Sequence, residues 1–234
     1  PLVTAATGFD VLTHAIESYT AIPFTERPAP ANPSQRPPYQ GANPHSDTGS
    51  LEAISLAAEY MLRAVNTPED REARSAMMYA ATLAGISFGN AGVHIPHGMS
   101  YSVAGMIRDY YPSGWPDDHS MCPHGVSVVV NAPAAFSFTA QACPERHWKA
   151  AQVLGADMSG VPLDQGGEAL AARMIALMQA CGIPNGLTAL NYTEDDIPGL
   201  VEGAYKQQRL LVNSPRPVGK EDLADLYRKA MRYW

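Results

Sequence analysis

The chain lacks a basic surplus. Its 234 residues carry 16 Lys and Arg against 23 Asp and Glu, a formal net charge of −7. Non-specific nucleic-acid binding relies on basic surface, so no nucleic-acid partner is expected. Cysteine is scarce. Cys122, Cys143 and Cys181 are the only ones, and none forms a Cys-x-x-Cys pair. An odd, sparse count excludes a disulfide framework and fits a reduced, intracellular protein. No stretch approaches the ~20 apolar residues that cross a bilayer, so no membrane partner is expected. No signal-peptide pattern is found. No useful run alternates with period two, and no Gly-rich phosphate loop follows a strand, which excludes a complete nucleotide-binding βαβ unit in these residues. The His-Glu-x-x-His helix of zinc proteases and the Gly-x-Ser-x-Gly elbow of serine hydrolases are also missing, and there are no internal repeats.

What is present is helical. Hydrophobic residues make up 46% of the chain, enough for a substantial core. Phe9, Leu12, Ile16 and Tyr19 recur at helical spacing and define an opening helix over 8–20. Residues 22–46 hold seven prolines, from Pro23 to Pro44, and read as an irregular loop within one domain rather than a linker. A helix is expected over 47–65. Thr67 reads as the N-cap of the next, with Pro68 at its first position. That helix is expected to end in the glycine-rich run Phe88–Met99, with a short helix following over 97–107 and a loop over 109–121. Pro123-His124-Gly125 opens another apolar helix. Further helices are expected over 144–154 and 167–181 and after Thr193 and Gly219. The predicted fold class is all-α, a bundle-like arrangement with 1–234 as a single domain.

Seven histidines occur. Asp10 and His14 lie four residues apart in the opening helix, which stacks them one turn apart on one face. His97 and His124 share a context, Pro96-His97-Gly98 and Pro123-His124-Gly125, each at the start of a helix. Together the four would supply one carboxylate oxygen and three imidazole nitrogens. That donor set suits Fe or Zn and leaves room for a substrate oxygen, as a catalytic metal site requires. Bland alternatives remain open at this point. An Asp–His pair at this spacing is common by chance, and a Pro-His-Gly histidine can simply fill a turn. His94 is expected to pack or to support the site from behind. His45, His119 and His147 read as surface residues, and Cys122 as a small buried filler.

Three stretches, GFDVLTHAIESY, FGNAGVHIPHGMSY and CPHGVSVVV, resemble in order and spacing the signature stretches of the iron-containing (group III) alcohol dehydrogenase family. The resemblance spans essentially the whole chain and corresponds to that family's C-terminal helical domain, of the dehydroquinate synthase-like type. It implies that Asp10, His14, His97 and His124 hold a divalent metal, Fe2+ first and Zn2+ as the alternative. It also implies that Phe88 lines the nicotinamide end of the cleft, and that NAD binds mainly on an N-terminal domain outside this chain. Many relatives carry a second histidine four residues after the ligand at 97; here Tyr101 stands there. A tyrosine hydroxyl can relay a proton but is a poorer general base than imidazole at neutral pH. RPPYQGANPHSD, PHGMSYSVAGMI and FTAQACPERHWKAAQVLGAD are similar to the hydroxyacid–oxoacid transhydrogenase branch. That likeness implies hydride transfer from 4-hydroxybutyrate to 2-oxoglutarate through tightly held NAD, with small hydroxy and oxo acids as partners and a homo-oligomer left open. The alternatives are a general NAD-dependent alcohol dehydrogenase and a truncated, non-catalytic metal-binding module, with a metal-dependent lyase of the related fold last. The chain begins at Pro1 rather than Met, so sequence upstream is expected. The expected location is the cytoplasm, or the mitochondrion if the source is eukaryotic.

Overall fold

A computed structural model describes residues 1–234. It contains eleven α-helices and no strand: α1 (Leu2–Thr20), α2 (Pro44–Asn66), α3 (Arg71–Ala91), α4 (Ile95–Gly105), α5 (His124–Val129), α6 (Ala132–Thr139), α7 (Pro144–Val153), α8 (Gly166–Ala180), α9 (Ile197–Tyr205), α10 (Gln208–Leu211) and α11 (Lys220–Ala230). The expected all-α class is what the backbone adopts. The only β-type contact is an isolated bridge between Pro23 and Ala42.

The first helix is the hub. Its stripe of Phe9, Leu12 and Ile16 is fully buried, and α1 packs on α2, α3, α5 and α7. Burying side chains of this size contributes about 1.5–3 kcal/mol each. Ile54 and Met61 of α2, Ile95 and Met99 of α4, Phe136 of α6 and Met174 of α8 join the same core. At its far side, α9 and α11 close over α4, and Tyr227 of α11 donates to the Met99 carbonyl at 3.0 Å.

Several boundaries differ from those expected, for local reasons. The second long helix starts at Pro44, three residues early. Asn43 caps it, accepting from the His45 and Ser46 N–H groups at 3.1 and 3.2 Å, and Pro44 sits where a helix needs no donor. The N-cap of α3 is Asp70 rather than Thr67: its carboxylate accepts from Ala73 N–H at 3.0 Å, and Pro68 lies in the preceding turn. The same helix runs through Phe88 to Ala91, absorbing Gly85 and Gly89, and stops at Gly92, whose φ of 92° lies in the region that favours glycine. α6 and α10 are not among the helices expected from the sequence.

The proline-rich excursion does return to the body of the fold. Phe24 N–H donates to the Ala42 carbonyl and Ala42 N–H to the Ile22 carbonyl, both at 3.0 Å, closing the loop at its base. Gln40 and Gly41 N–H groups then donate to the Asn90 and Ala91 carbonyls at 2.8 and 3.1 Å, tying it to the end of α3.

One expected surface residue is buried. His147 is fully enclosed on the inner face of α7, although PERHWK is a polar context. Helical periodicity turns His147, Ala150 and Ala151 inward while Glu145 stays at the rim. Its Nδ1 donates to the Cys143 carbonyl at 3.0 Å and its Nε2 meets the Thr139 hydroxyl at 2.9 Å, so the buried ring is satisfied.

Candidate metal centre

Three helices bring the four candidate residues together. α1 supplies Asp10 and His14, α4 supplies His97 in its first turn, and α5 begins with His124. The approach of α5 to α1 depends on Gly125. A Cβ there would collide with the Ala6 carbonyl and lie 3.2 Å from Asp10 Cβ. Any side chain at 125 would push α5 away from α1, and His124 with it.

One atom is the meeting point. Asp10 Oδ1 lies 3.6 Å from His14 Nδ1, 3.4 Å from His97 Nε2 and 3.5 Å from His124 Nε2. No hydrogen bond satisfies that oxygen, and His97 Nε2 is also buried without a partner. Orphaned polar atoms in a protein interior are costly. These particular atoms suit a cation. Ligands held at about 2.0–2.2 Å around a tetrahedral ion stand about 3.4 Å from one another, and the three separations match that spacing. The donor atoms of Asp10, His14 and His97 all lie within 4.8 Å of one another. His124 stands at the rim, its side chain 55% exposed.

The electrostatics agree with the geometry. Burial, assisted by His97, pushes His14 down to about 4, so the ring is neutral with a lone pair available. Burial opposes charge on Asp10, but His97, His14 and His124 around it hold the carboxyl below its ordinary value. Burial would likewise lower His97; the carboxylates of Glu17 and Asp10 outweigh it and raise the ring to about 9. Raised to about 9, the His97 ring is protonated at neutral pH in the metal-free chain, and a cation that takes its Nε2 displaces that proton; Asp10 and Glu17 then carry two negative charges, the complement of a divalent cation.

The other candidates take different places. Phe88 stacks on His14 with centroids 4.1 Å apart and planes inclined by 20°, so it borders the centre. Tyr101 lies one turn beyond His97 on α4 and is exposed. Its hydroxyl accepts from Arg209 at 2.6 Å, and no hydrogen bond joins it to the cluster. His94 is fully buried, its Nε2 3.1 Å from the Thr20 hydroxyl, which is a packing position behind the site. Cys122 is buried, and burial pushes its thiol up to about 12, as suits a filler.

Glu17 belongs to the site although its sequence context does not single it out. It is wholly buried on α1, seven residues after Asp10, and its carboxylate contacts His97 Nδ1 and the backbone N–H groups of His94 and His97. The available signal was an acid set among the apolar residues of α1, next to Ile16.

Fold and cluster together define a helical domain that gathers carboxylate and imidazole donors of the kind that hold a divalent ion. The chain belongs to the Fe-containing alcohol dehydrogenase family, with residues 39–231 matching its C-terminal region. That family implies a divalent metal. Among curated proteins, the mitochondrial hydroxyacid-oxoacid transhydrogenases of Xenopus tropicalis and Rattus norvegicus are each 47% identical over 233 residues, covering 99% of this chain and 50% of those proteins. The chain thus spans about half the length of the curated relatives it matches. Among solved structures, a 1,3-propanediol oxidoreductase superposes with TM-score 0.80 at 29% identity, and an alcohol dehydrogenase from Oenococcus oeni with TM-score 0.81 at 26% identity. Each alignment covers 97% of this chain and 51% of the other.

Proposed function

We propose that this chain is the metal-holding part of an oxidoreductase that moves hydride between a hydroxy acid and an oxo acid, with 4-hydroxybutyrate and 2-oxoglutarate as the pair. The observation that carries the reading is Asp10 Oδ1, unpartnered and facing three imidazole nitrogens at 3.4–3.6 Å. Asp10, His14, His97 and His124 would hold the ion, Fe2+ first and Zn2+ second. When bound, it supplies Lewis acidity toward the substrate's hydroxyl or carbonyl oxygen.

The chain's own residues do the rest. Asp10 and the rings of His14 and His97 hold their donor atoms in a fixed array that needs little reorganisation on binding. Phe88, stacked on His14, offers a flat apolar face at the edge of the centre where a nicotinamide ring would lie. Tyr101 is the candidate proton relay. With Arg209 donating to its oxygen, the hydroxyl hydrogen is free to be handed to a substrate or to water. Hydride chemistry needs a carrier, NAD, and we assign its binding to a further domain, with residues 1–234 acting as one unit.

The likeness to transhydrogenases at 47% identity favours acid substrates over simple alcohols. It also supports a mitochondrial location if the source is eukaryotic; otherwise we assign a cytoplasmic one. A second reading, a general NAD-dependent alcohol dehydrogenase, is favoured by the fold likeness to 1,3-propanediol oxidoreductase. The deciding experiment uses the enzyme that carries this chain. It should turn over 4-hydroxybutyrate with 2-oxoglutarate without added NAD. Turnover of simple alcohols with NAD alone would refute the acid reading.

A further inference from the structure

We propose that Glu17 is the positioning residue of the centre: it keeps a hydrogen on His97 Nδ1, so that Nε2 is the nitrogen left to take an ion beside Asp10. The proposal rests on the reading of His97 as a metal ligand.

Glu17 sits on α1 two turns beyond Asp10, and its side chain is wholly buried. Leaving an ionised carboxylate in an interior costs several kcal/mol unless it is well partnered. Here each oxygen has a distinct set of partners. Oε1 accepts from the backbone N–H of His94 at 2.9 Å and of His97 at 3.3 Å. Oε2 faces His97 Nδ1.

The two backbone donors belong to the first turn of α4, where amides lack intrahelical partners. Pro96 has no N–H to satisfy, and His94 at the N-cap makes no side-chain cap of its own. The carboxylate of α1 therefore caps α4 from outside, a charge of the right sign at a helix N-terminus. A cap alone would need only Oε1. The second oxygen is spent on the ring.

That second contact has a chemical consequence. An ionised carboxylate only accepts hydrogen bonds, so the nitrogen facing it must carry a hydrogen. A neutral imidazole carries one N–H; with it on Nδ1, Nε2 has the lone pair. Nε2 is the buried nitrogen without a partner, 3.4 Å from Asp10 Oδ1. Partners behind a ligating histidine commonly set its tautomer and orientation. In this fold the same carboxylate also locks together the two helices that carry Asp10, His14 and His97.

Glu17→Gln tests the role apart from the shape. The amide oxygen keeps the two backbone N–H groups, because turning the amide round would set its NH2 against both of them. The NH2 then faces Nδ1, and an amide NH2 only donates. Nδ1 must become an acceptor, and the ring proton moves to Nε2.

Two measurements on the 234-residue chain read this out. The first is long-range proton–nitrogen NMR of the metal-free imidazoles. His97 should carry a hydrogen on Nδ1 in the unsubstituted chain and on Nε2 alone in Glu17→Gln. The second is zinc affinity by chelator competition, which should fall about 10–100-fold in Glu17→Gln while helical circular dichroism is kept. A bare Nδ1 in the unsubstituted chain would overturn the proposal, a measurement that needs no variant to fold. So would an unchanged ring proton, or unchanged zinc affinity, in Glu17→Gln. Failure of the unsubstituted chain to take up zinc would instead refute the ligand set, and the ring-proton result would still decide what Glu17 does.

Discussion

Asp10 Oδ1 has three nitrogen neighbours and no hydrogen bond, while Tyr101 has a hydrogen bond, to Arg209, and none to the cluster. The two residues therefore call for different tests. Removing the Tyr101 hydroxyl in Tyr101→Phe should leave bound metal unchanged. If Tyr101 relays the proton, turnover of the carrying enzyme should fall about 100-fold, the lower end of what general acid–base groups contribute. Unchanged turnover would return Tyr101 to a packing role beside Arg209. Asp10, His14, His97 and His124 were legible in the sequence because helical spacing and two repeated Pro-His-Gly contexts mark them. Glu17 was not, because an acid beside an apolar stripe is a weak signal by itself, and only the fold brings it under His97. His147 misled for the converse reason: its neighbours are polar, but its own face of α7 points inward.

At the scale of elements, the site depends on how closely α5 can lie against α1. Gly125 is the contact point, and a methyl group there would strike the backbone at Ala6. Gly125→Ala should therefore cost about 1–3 kcal/mol, as overpacking does. It should also weaken metal binding by displacing His124, read from urea unfolding and zinc competition on the same sample. A variant as stable and as tight-binding as the parent would mean that α5 has room the structure does not indicate. Helix existence was readable from apolar period and caps, but boundaries were not always. Asn43-Pro44 reads as more of a proline-rich loop until one sees that Asn43 caps and that Pro44 occupies the first helical position. Thr67 and Asp70 are both plausible caps by type, and the one whose carboxylate reaches a backbone N–H prevails.

For the molecule as a whole, stability should depend on pH through its buried histidines. Burial holds His147 down to about 4 against an ordinary value of 6.5. The unfolded chain thus binds a proton between those values that the folded chain refuses. The stability linked to this group is intact above pH 6.5 and is lost as pH falls toward 4, by up to about 3 kcal/mol. Urea unfolding of the metal-free chain at pH 7 and pH 4.5 should show the loss, and His147→Gln should reduce it without abolishing it, because burial holds His14 and His94 down to about 4 as well. An equal slope in that variant would remove His147 from the explanation. Metal acts on the same balance from the other side. An ion that binds only the folded chain adds about 2.7 kcal/mol at a hundred times its Kd, so Tm should climb with added zinc.

Metal stoichiometry is the sharpest measurement. After equilibrium dialysis against zinc, or against Fe(II) without oxygen, elemental analysis of the 234-residue chain should find one ion per chain. Asp10→Ala and His97→Ala, with their helical circular dichroism intact, should each hold well under one. Full occupancy in both variants would contradict the centre described here.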